Sequence, residues 1–156
     1  MPDFTGFDPR TLLTTVVKAK LDTTIPPFPL DDGDEFQFLC RKVDVRTITS
    51  SKTGEQYITL DTNWECLDET VKAVTHMEHP MARYSFILEV DPKKGLEIGE
   101  AKNVKLGRLL AACGIVSKEW SLSMLEGASA IGKVKHRPDD DDPSVIYNEI
   151  TRVSAT

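Results

Sequence analysis

The chain has 156 residues, 40% of them apolar and 28% charged, the make-up of one ordinary globular domain and not of a disordered chain. Nineteen Lys and Arg against 25 Asp and Glu leave a formal charge of −6. That balance argues against a non-specific binder of duplex DNA or of an anionic membrane, though not against a localised basic groove.

Residues 1–34 read as an arm. Asp8 and Pro9 supply an N-cap and a first-turn proline for a short helix over residues 10–21, against which the β-branched Thr11, Thr14, Thr15, Val16 and Val17 weigh. Pro26, Pro27 and Pro29 then force extended backbone, and residues 31–34 form a turn. Such an arm packs along the outside of a domain or serves between subunits.

Residues 35–156 form the domain. Residues 36–49 are a long strand whose inward parity flips, from Phe36, Phe38 and Cys40 to Val43 and Val45, as a β-bulge requires. Residues 50–54 signal a hairpin. Residues 56–66 are the second strand, with Ile58, Leu60 and Trp64 on one face and Tyr57, Thr59, Asp61 and Asn63 on the other. A polar connection over 67–80 leads to a third strand over 82–91, with Tyr84, Phe86, Leu88 and Val90 inward. Asn103 caps a helix carrying Val104, Leu106, Leu109, Leu110 and Cys113 at helical spacing, which Gly114 stops. A short turn near residues 120–125 precedes a fourth strand at 128–136 and a fifth at 144–153.

Three strands, a helix and two strands predict a mainly β protein: a five-stranded, partly open OB-like barrel with the helix between its third and fourth strands. Cys40, Cys66 and Cys113 are too few and too far apart for a disulfide framework. The first ten residues lack a signal-peptide pattern. The longest apolar run, residues 109–116, has eight residues where a bilayer span needs about 20. The expectation is a protein without a membrane span, held in a reducing cytosol with its thiols in the core.

OB-folds bind oligonucleotides on the face of strands two and three, where cations track phosphates and flat rings stack on bases. Arg41, Lys42, Arg46 and Lys52 cluster on the first strand and its turn. Tyr57 lies opposite the apolar face of the second. Lys133, Lys135 and Arg137 share one side of the fourth, beside His136. A basic stripe is equally what a solvated strand face looks like. Phe36, Phe38, Tyr84, Phe86 and Trp64 read as core, and Trp120 as a cap over the barrel. The four aspartates at 139–142 read as a solvated turn flanking the binding face, where they would repel phosphate, compete for the groove or contact a basic partner. His76 and His79 with Cys66 lack metal-site spacing, and the strand carboxylates Asp61, Glu65 and Glu89 lack that of a nuclease. With no nucleophile or nucleotide motif either, no metal, cofactor or catalysis is expected.

Residues 103–115, then 125–127, then Gly132-Lys133-Val134-Lys135-His136-Arg137 and Ile146-Tyr147-Asn148-Glu149-Ile150-Thr151-Arg152-Val153 resemble small bacteriophage proteins encoded beside replication or recombination genes. Some of these look like OB-fold single-stranded DNA-binding proteins. The resemblance covers residues 35–154 and is strongest in the last third. Lys133, Lys135 and Arg137 match the family's basic strand, and Arg108 matches its helix. The resemblance implies a non-catalytic, sequence-nonspecific single-stranded DNA binder of phage replication or recombination. It would act in the cytoplasm of an infected host cell, beside phage or host replication proteins. The family matches neither the arm over 1–34 nor the four-Asp turn; an arm of this kind would serve a homo-oligomer. The alternatives are a protein–protein module of a phage replication or virion assembly and a small metal-dependent nuclease. The acidic total is concentrated: residues 31–35 and 139–142 hold four carboxylates each, and the remainder stands at +2.

Overall fold

A computed structural model describes residues 2–21, 24–30 and 34–156. After a 3-10 turn at Pro9–Leu13, the chain forms β1 (Glu35–Thr49), β2 (Gln56–Cys66), α1 (Glu69–Thr75), β3 (Met81–Leu88), β4 (Val90–Asp91), β5 (Gly95–Leu96), α2 (Val104–Ala112), β6 (Ser129–Pro138) and β7 (Ile146–Ser154). The large sheet runs β1-β2-β3-β7-β6 and closes into a ring, because β6 also pairs with the first half of β1. The protein is thus mainly β, with a five-stranded sheet closed on itself. β4 and β5 form a separate two-stranded ribbon.

β1 closes the ring because it bends. Residues 35–39 pair with β6 and residues 38–49 with β2, and the register shifts between Cys40 and Lys42. The bulge falls where the inward parity flips: Phe36, Phe38 and Cys40 are buried before it, and Val43 packs on the core after it. Alternation along β2 and β3 then sends Leu60, Trp64, Ala82, Tyr84, Phe86 and Leu88 inward. Trp64 Nε1 donates to Thr62 Oγ1 at 2.7 Å, and that hydroxyl donates to the Tyr84 carbonyl at 2.6 Å, so the buried indole is satisfied. α2 lays Leu106, Leu109 and Leu110 on the core. It ends through Gly114 at φ +74, whose left-handed turn lets Ile115 N donate to the Leu110 carbonyl at 2.9 Å.

Four expectations need correcting. The helix over residues 10–21 shrinks to the turn at Pro9–Leu13; Asp8 Oδ1 caps Arg10 N at 3.0 Å, but the β-branched run beyond does not propagate it. The connection over 67–80 contains α1, nucleated by Asp68 Oδ1 accepting from Thr70 N and Val71 N. The third strand stops at Leu88; Val90 is 36% exposed and pairs with Leu96 in the ribbon. Asn103 does precede α2, but at φ 50 and without capping it. Its side chain instead accepts from Glu89 N at 2.8 Å and donates to the Glu89 and Glu97 carbonyls, tying the ribbon to the helix. Residues 31–33 of the expected turn lie outside the described residues.

The arm is anchored at one point. Phe28 is 2% exposed and meets Phe36 edge-on at 5.9 Å and Phe38 stacked at 6.5 Å. Burial of such a ring contributes about 1.5–3 kcal/mol. Its backbone is held as well: Phe28 N donates to Asn148 Oδ1 at 3.0 Å, and its carbonyl lies 2.7 Å from His136 Nε2. His136 and Asn148 are register partners on β6 and β7, so side chains complete the hydrogen bonding that a neighbouring strand would have supplied.

Candidate nucleic-acid interface

The outer face of the sheet carries the polar chemistry. After the bulge Lys42 and Arg46 point outward from β1, opposite Asn63 and Thr59. Asp61 and Asn63 lie beside Ser85 and Arg83 on β3, and Arg83 is the register partner of Glu149 on β7. Glu149 is in turn the partner of Lys135 on β6. One continuous surface therefore crosses five strands, with Lys42, Arg46, Arg83, Lys135 and Arg137 set against Asp44, Asp61 and Glu149.

Asp61 organises the centre of that face. It accepts from Arg46 Nε at 2.5 Å, Arg83 Nη2 at 2.9 Å and Ser85 Oγ at 2.7 Å, and its side chain is 14% exposed. Burial pushes its pKa up, but the hydrogen bonds from Ser85, Arg83 and Arg46, with the Arg83 charge, outweigh it and hold the carboxyl below the ordinary aspartate value. Arg83 Nε also donates to Ser85 Oγ at 2.9 Å, so its guanidinium is fixed by two partners.

The flanking cations are likewise tied to carboxylates. Arg41, in the bulge, reaches both Glu65 oxygens at 3.3 and 3.2 Å. His79 Nδ1 lies 2.6 Å from the same group, whose side chain is 7% exposed. Burial opposes ionisation of Glu65, yet Arg41 and His79 together lower its pKa. Arg137 Nε binds Glu149 at 2.7 Å and Lys135 Nζ lies 3.9 Å from it. The Arg137 guanidinium sits 5.5 Å from the Tyr147 ring centre. Lys42, Lys52, Lys133 and Arg108 make no ion pair among the described residues.

Most of the expected site residues thus come together. Tyr57 stands across from Ile48 on the outer face and is half-buried, its hydroxyl donating to Glu55 Oε2 at 2.6 Å, a bond that raises the phenol pKa. Lys52 lies on the adjoining turn, closed by Ser50 N donating to the Glu55 carbonyl at 2.8 Å. Lys133 lies two positions along β6 from Lys135, at the seam between Glu35 of β1 and Arg152 of β7. Arg108 stands apart. It is on α2, and its charge acts on the inward-facing Tyr84, partly offsetting the burial that raises that phenol.

Arg83 and the anchoring roles of Asp61 and Glu149 were absent from the expected site. The alternation of Arg83 and Ser85 with Ala82, Tyr84 and Phe86 sets Arg83 on the outer face, but it does not show the pairing with Asp61. The acidic turn at 139–142 is an ordered loop: Asp139 Oδ1 accepts from the Asp141 and Asp142 amides, and Oδ2 accepts from the Tyr147 hydroxyl at 2.7 Å. The Tyr147 bond is the main force lowering the Asp139 pKa and raising that of Tyr147. Between this loop, β3, β7 and the arm lies a cleft of about 770 Å³.

Among the described residues no three His, Cys, Asp or Glu side chains converge as a metal-binding set, and no helix is long and apolar enough to cross a membrane. No protein-family model and no curated protein matches the sequence.

Proposed function

We propose that the chain binds single-stranded DNA on the outer face of β1, β2 and β3, without sequence preference and without catalysis, and that its closed ring is an OB-fold. The ring order and the placement of α2 between the third and fourth long strands support the fold reading. One observation carries the functional reading: Asp61 on β2 holds Arg46 and Arg83 from the two strands that flank it, and Glu149 on β7, the strand beyond β3, orders Arg137 and Lys135 on β6. A guanidinium with one edge on a carboxylate keeps other N–H groups for phosphate. Lys42, Lys52 and Lys133 add mobile cations, whose engagement releases counterions, and Tyr57 offers a ring for stacking. The ordered acidic loop at 139–142 limits where a strand lies, and the carboxylates of residues 31–35 and 139–142 disfavour charge-dense duplex. On this reading the activity serves replication or recombination in an infected cell, beside phage or host replication proteins.

The test is a titration of labelled oligo-dT and of duplex of equal length at two salt concentrations, with and without Mg²⁺. Saturable, salt-dependent binding to the single strand alone is expected. Absence of binding at low salt overturns the reading, and shortening of the oligonucleotide with Mg²⁺ replaces it with a nuclease.

A further inference from the structure

The arm before its anchor has no cover of its own. Residues 2–21 are exposed throughout, and they include Leu13 at 85% and Val16 at 80% with Leu12, Val17 and Leu21 beside them. A run of apolar side chains of this length is a contact surface for something else. Its charge is equally one-sided: residues 10–21 hold Arg10, Lys18 and Lys20 and no carboxylate.

The cleft beside the arm's root has the opposite character. Met77, Met81, Val145 and Tyr147 line it together with Asp140 and Asp141. Arg83 and Arg137 also line it, each held by one carboxylate, Asp61 and Glu149, so an arm in the cleft and a bound DNA strand would share these two side chains. Asp140 and Asp141 make no ion pair among the described residues. Apolar side chains beside unpaired acid suit an apolar, cationic segment. The volume of about 770 Å³ lies within the range of ligand clefts, roughly 300–1,000 Å³.

We propose that residues 10–21 of one copy lie in this cleft of a second copy, each arm filling the other's cleft in a two-fold dimer. The single chain favours exchange over return: Phe28 fixes the arm's root on its own barrel and residues 24–26 line the cleft, yet residues 10–21 are exposed and do not line it. Residues 14–21, past the 3-10 turn, span about 27 Å when extended, enough to reach a barrel packed alongside. Reciprocal exchange of an identical segment satisfies both copies and closes the assembly.

The experiment uses the full chain without nucleic acid, so it stands apart from the DNA reading. Sedimentation equilibrium is expected to give a dimer. Val16→Asp with Val17→Asp, at positions exposed in the single chain and harmless to its folding, is expected to give a monomer with unchanged circular dichroism. Lys18→Glu with Lys20→Glu, or Asp140→Lys with Asp141→Lys, is expected to weaken the dimer at least tenfold, and all four changes in one chain to restore it. A maleimide crosslinker between Val17→Cys in one chain and Met77→Cys in another is expected to give a species of doubled mass. A wild-type monomer at all concentrations overturns the proposal. So does a dimer indifferent to the arm variants, or a crosslink that forms only within one chain carrying both cysteines.

Discussion

Arg83 on β3 and Glu149 on β7 are register partners where those two strands pair in parallel. Each is also the end of a separate ion-pair system: Arg83 binds Asp61, which holds Arg46, and Glu149 binds Arg137 and Lys135. The closure of the sheet therefore brings together cations contributed by residues 46, 83, 135 and 137. Arg83→Ala is expected to flatten the salt dependence of oligo-dT binding by about 0.7 in log–log slope, the value for one phosphate contact on a single strand. Its exposed ion pair makes the stability cost at most about 1 kcal/mol. Titrations at several salt concentrations with a urea melt check both, and an unchanged slope removes Arg83 from the interface.

Phe28 seals the barrel beside Phe36 and Phe38. Phe28→Ala is expected to cost about 3–5 kcal/mol, as a buried ring replaced by a cavity does. His136→Ala and Asn148→Ala each remove one hydrogen bond to the arm's backbone and are expected to cost about 1 kcal/mol. Denaturant unfolding of the three variants gives the order. A Phe28→Ala midpoint equal to the wild type would show that the ring is not part of the cooperative core.

The elements that sequence pattern revealed are those whose period is long and undisturbed. The bulge in β1 followed from the parity of Phe36, Phe38, Cys40 and Val43, because one face of a strand must stay buried, although Val45, expected inward with them, is 46% exposed. α2 followed from Leu106, Leu109, Leu110 and the stop at Gly114. α1 was hidden because two turns offer only Val71 and Thr75 to the interior, too few to make a period among polar neighbours. Phe28 was hidden by its prolines, which read as an exposed extended segment. On the interface, the cations of β1 and β6 were legible as charge clusters. Arg83 was not, because it is a single charge in an alternating strand and gains its place from β2 and β7, which no local pattern encodes.

Gly132 shows how close the core comes to the backbone of β6. A Cβ there would lie 3.0 Å from two ring carbons of Phe38 and 3.3 Å from Ile150 Cγ2. Phe38 is 1% exposed and has no open space to rotate into. Gly132→Ala is expected to destabilise by about 1–3 kcal/mol through overpacking, although its backbone is ordinary. A thermal melt checks this, and an unchanged midpoint would mean that the Phe38 ring yields.

Acid should loosen the molecule at two identified carboxylates. Asp61 and Glu65 both have pKa values lowered in the fold, because their bonds to Arg and, for Glu65, His79 outweigh the burial that opposes ionisation. A carboxylate depressed in the native state adds stability that is fully present above its unfolded value, about 3.9 for Asp and 4.3 for Glu. That stability is lost as pH falls through the lower native value. The urea midpoint should therefore hold from neutrality to about pH 5 and fall below it. Asp61→Asn should start lower and fall less. Equal acid slopes for that variant and the wild type would assign the loss to other groups.

Glu149 decides whether the cations of β6 serve phosphate or structure. It holds Arg137 at 2.7 Å and has Lys135 at 3.9 Å, and it competes with any phosphate placed on them. Glu149→Gln keeps the shape and one hydrogen-bond acceptor while removing the charge. If DNA lies across this part of the face, both cations become available and affinity for oligo-dT is expected to rise two- to fivefold at low salt, the equivalent of about 0.4–1 kcal/mol, with the gain shrinking as salt screens it. Lys133→Ala with Lys135→Ala should lower affinity by a comparable or larger factor, since Lys133 carries no such competitor among the described residues. A fall in affinity for Glu149→Gln would mean that the carboxylate acts by holding Arg137 in position. No change in either variant would confine the bound strand to β1, β2 and β3, where Arg46, Arg83 and Tyr57 stand.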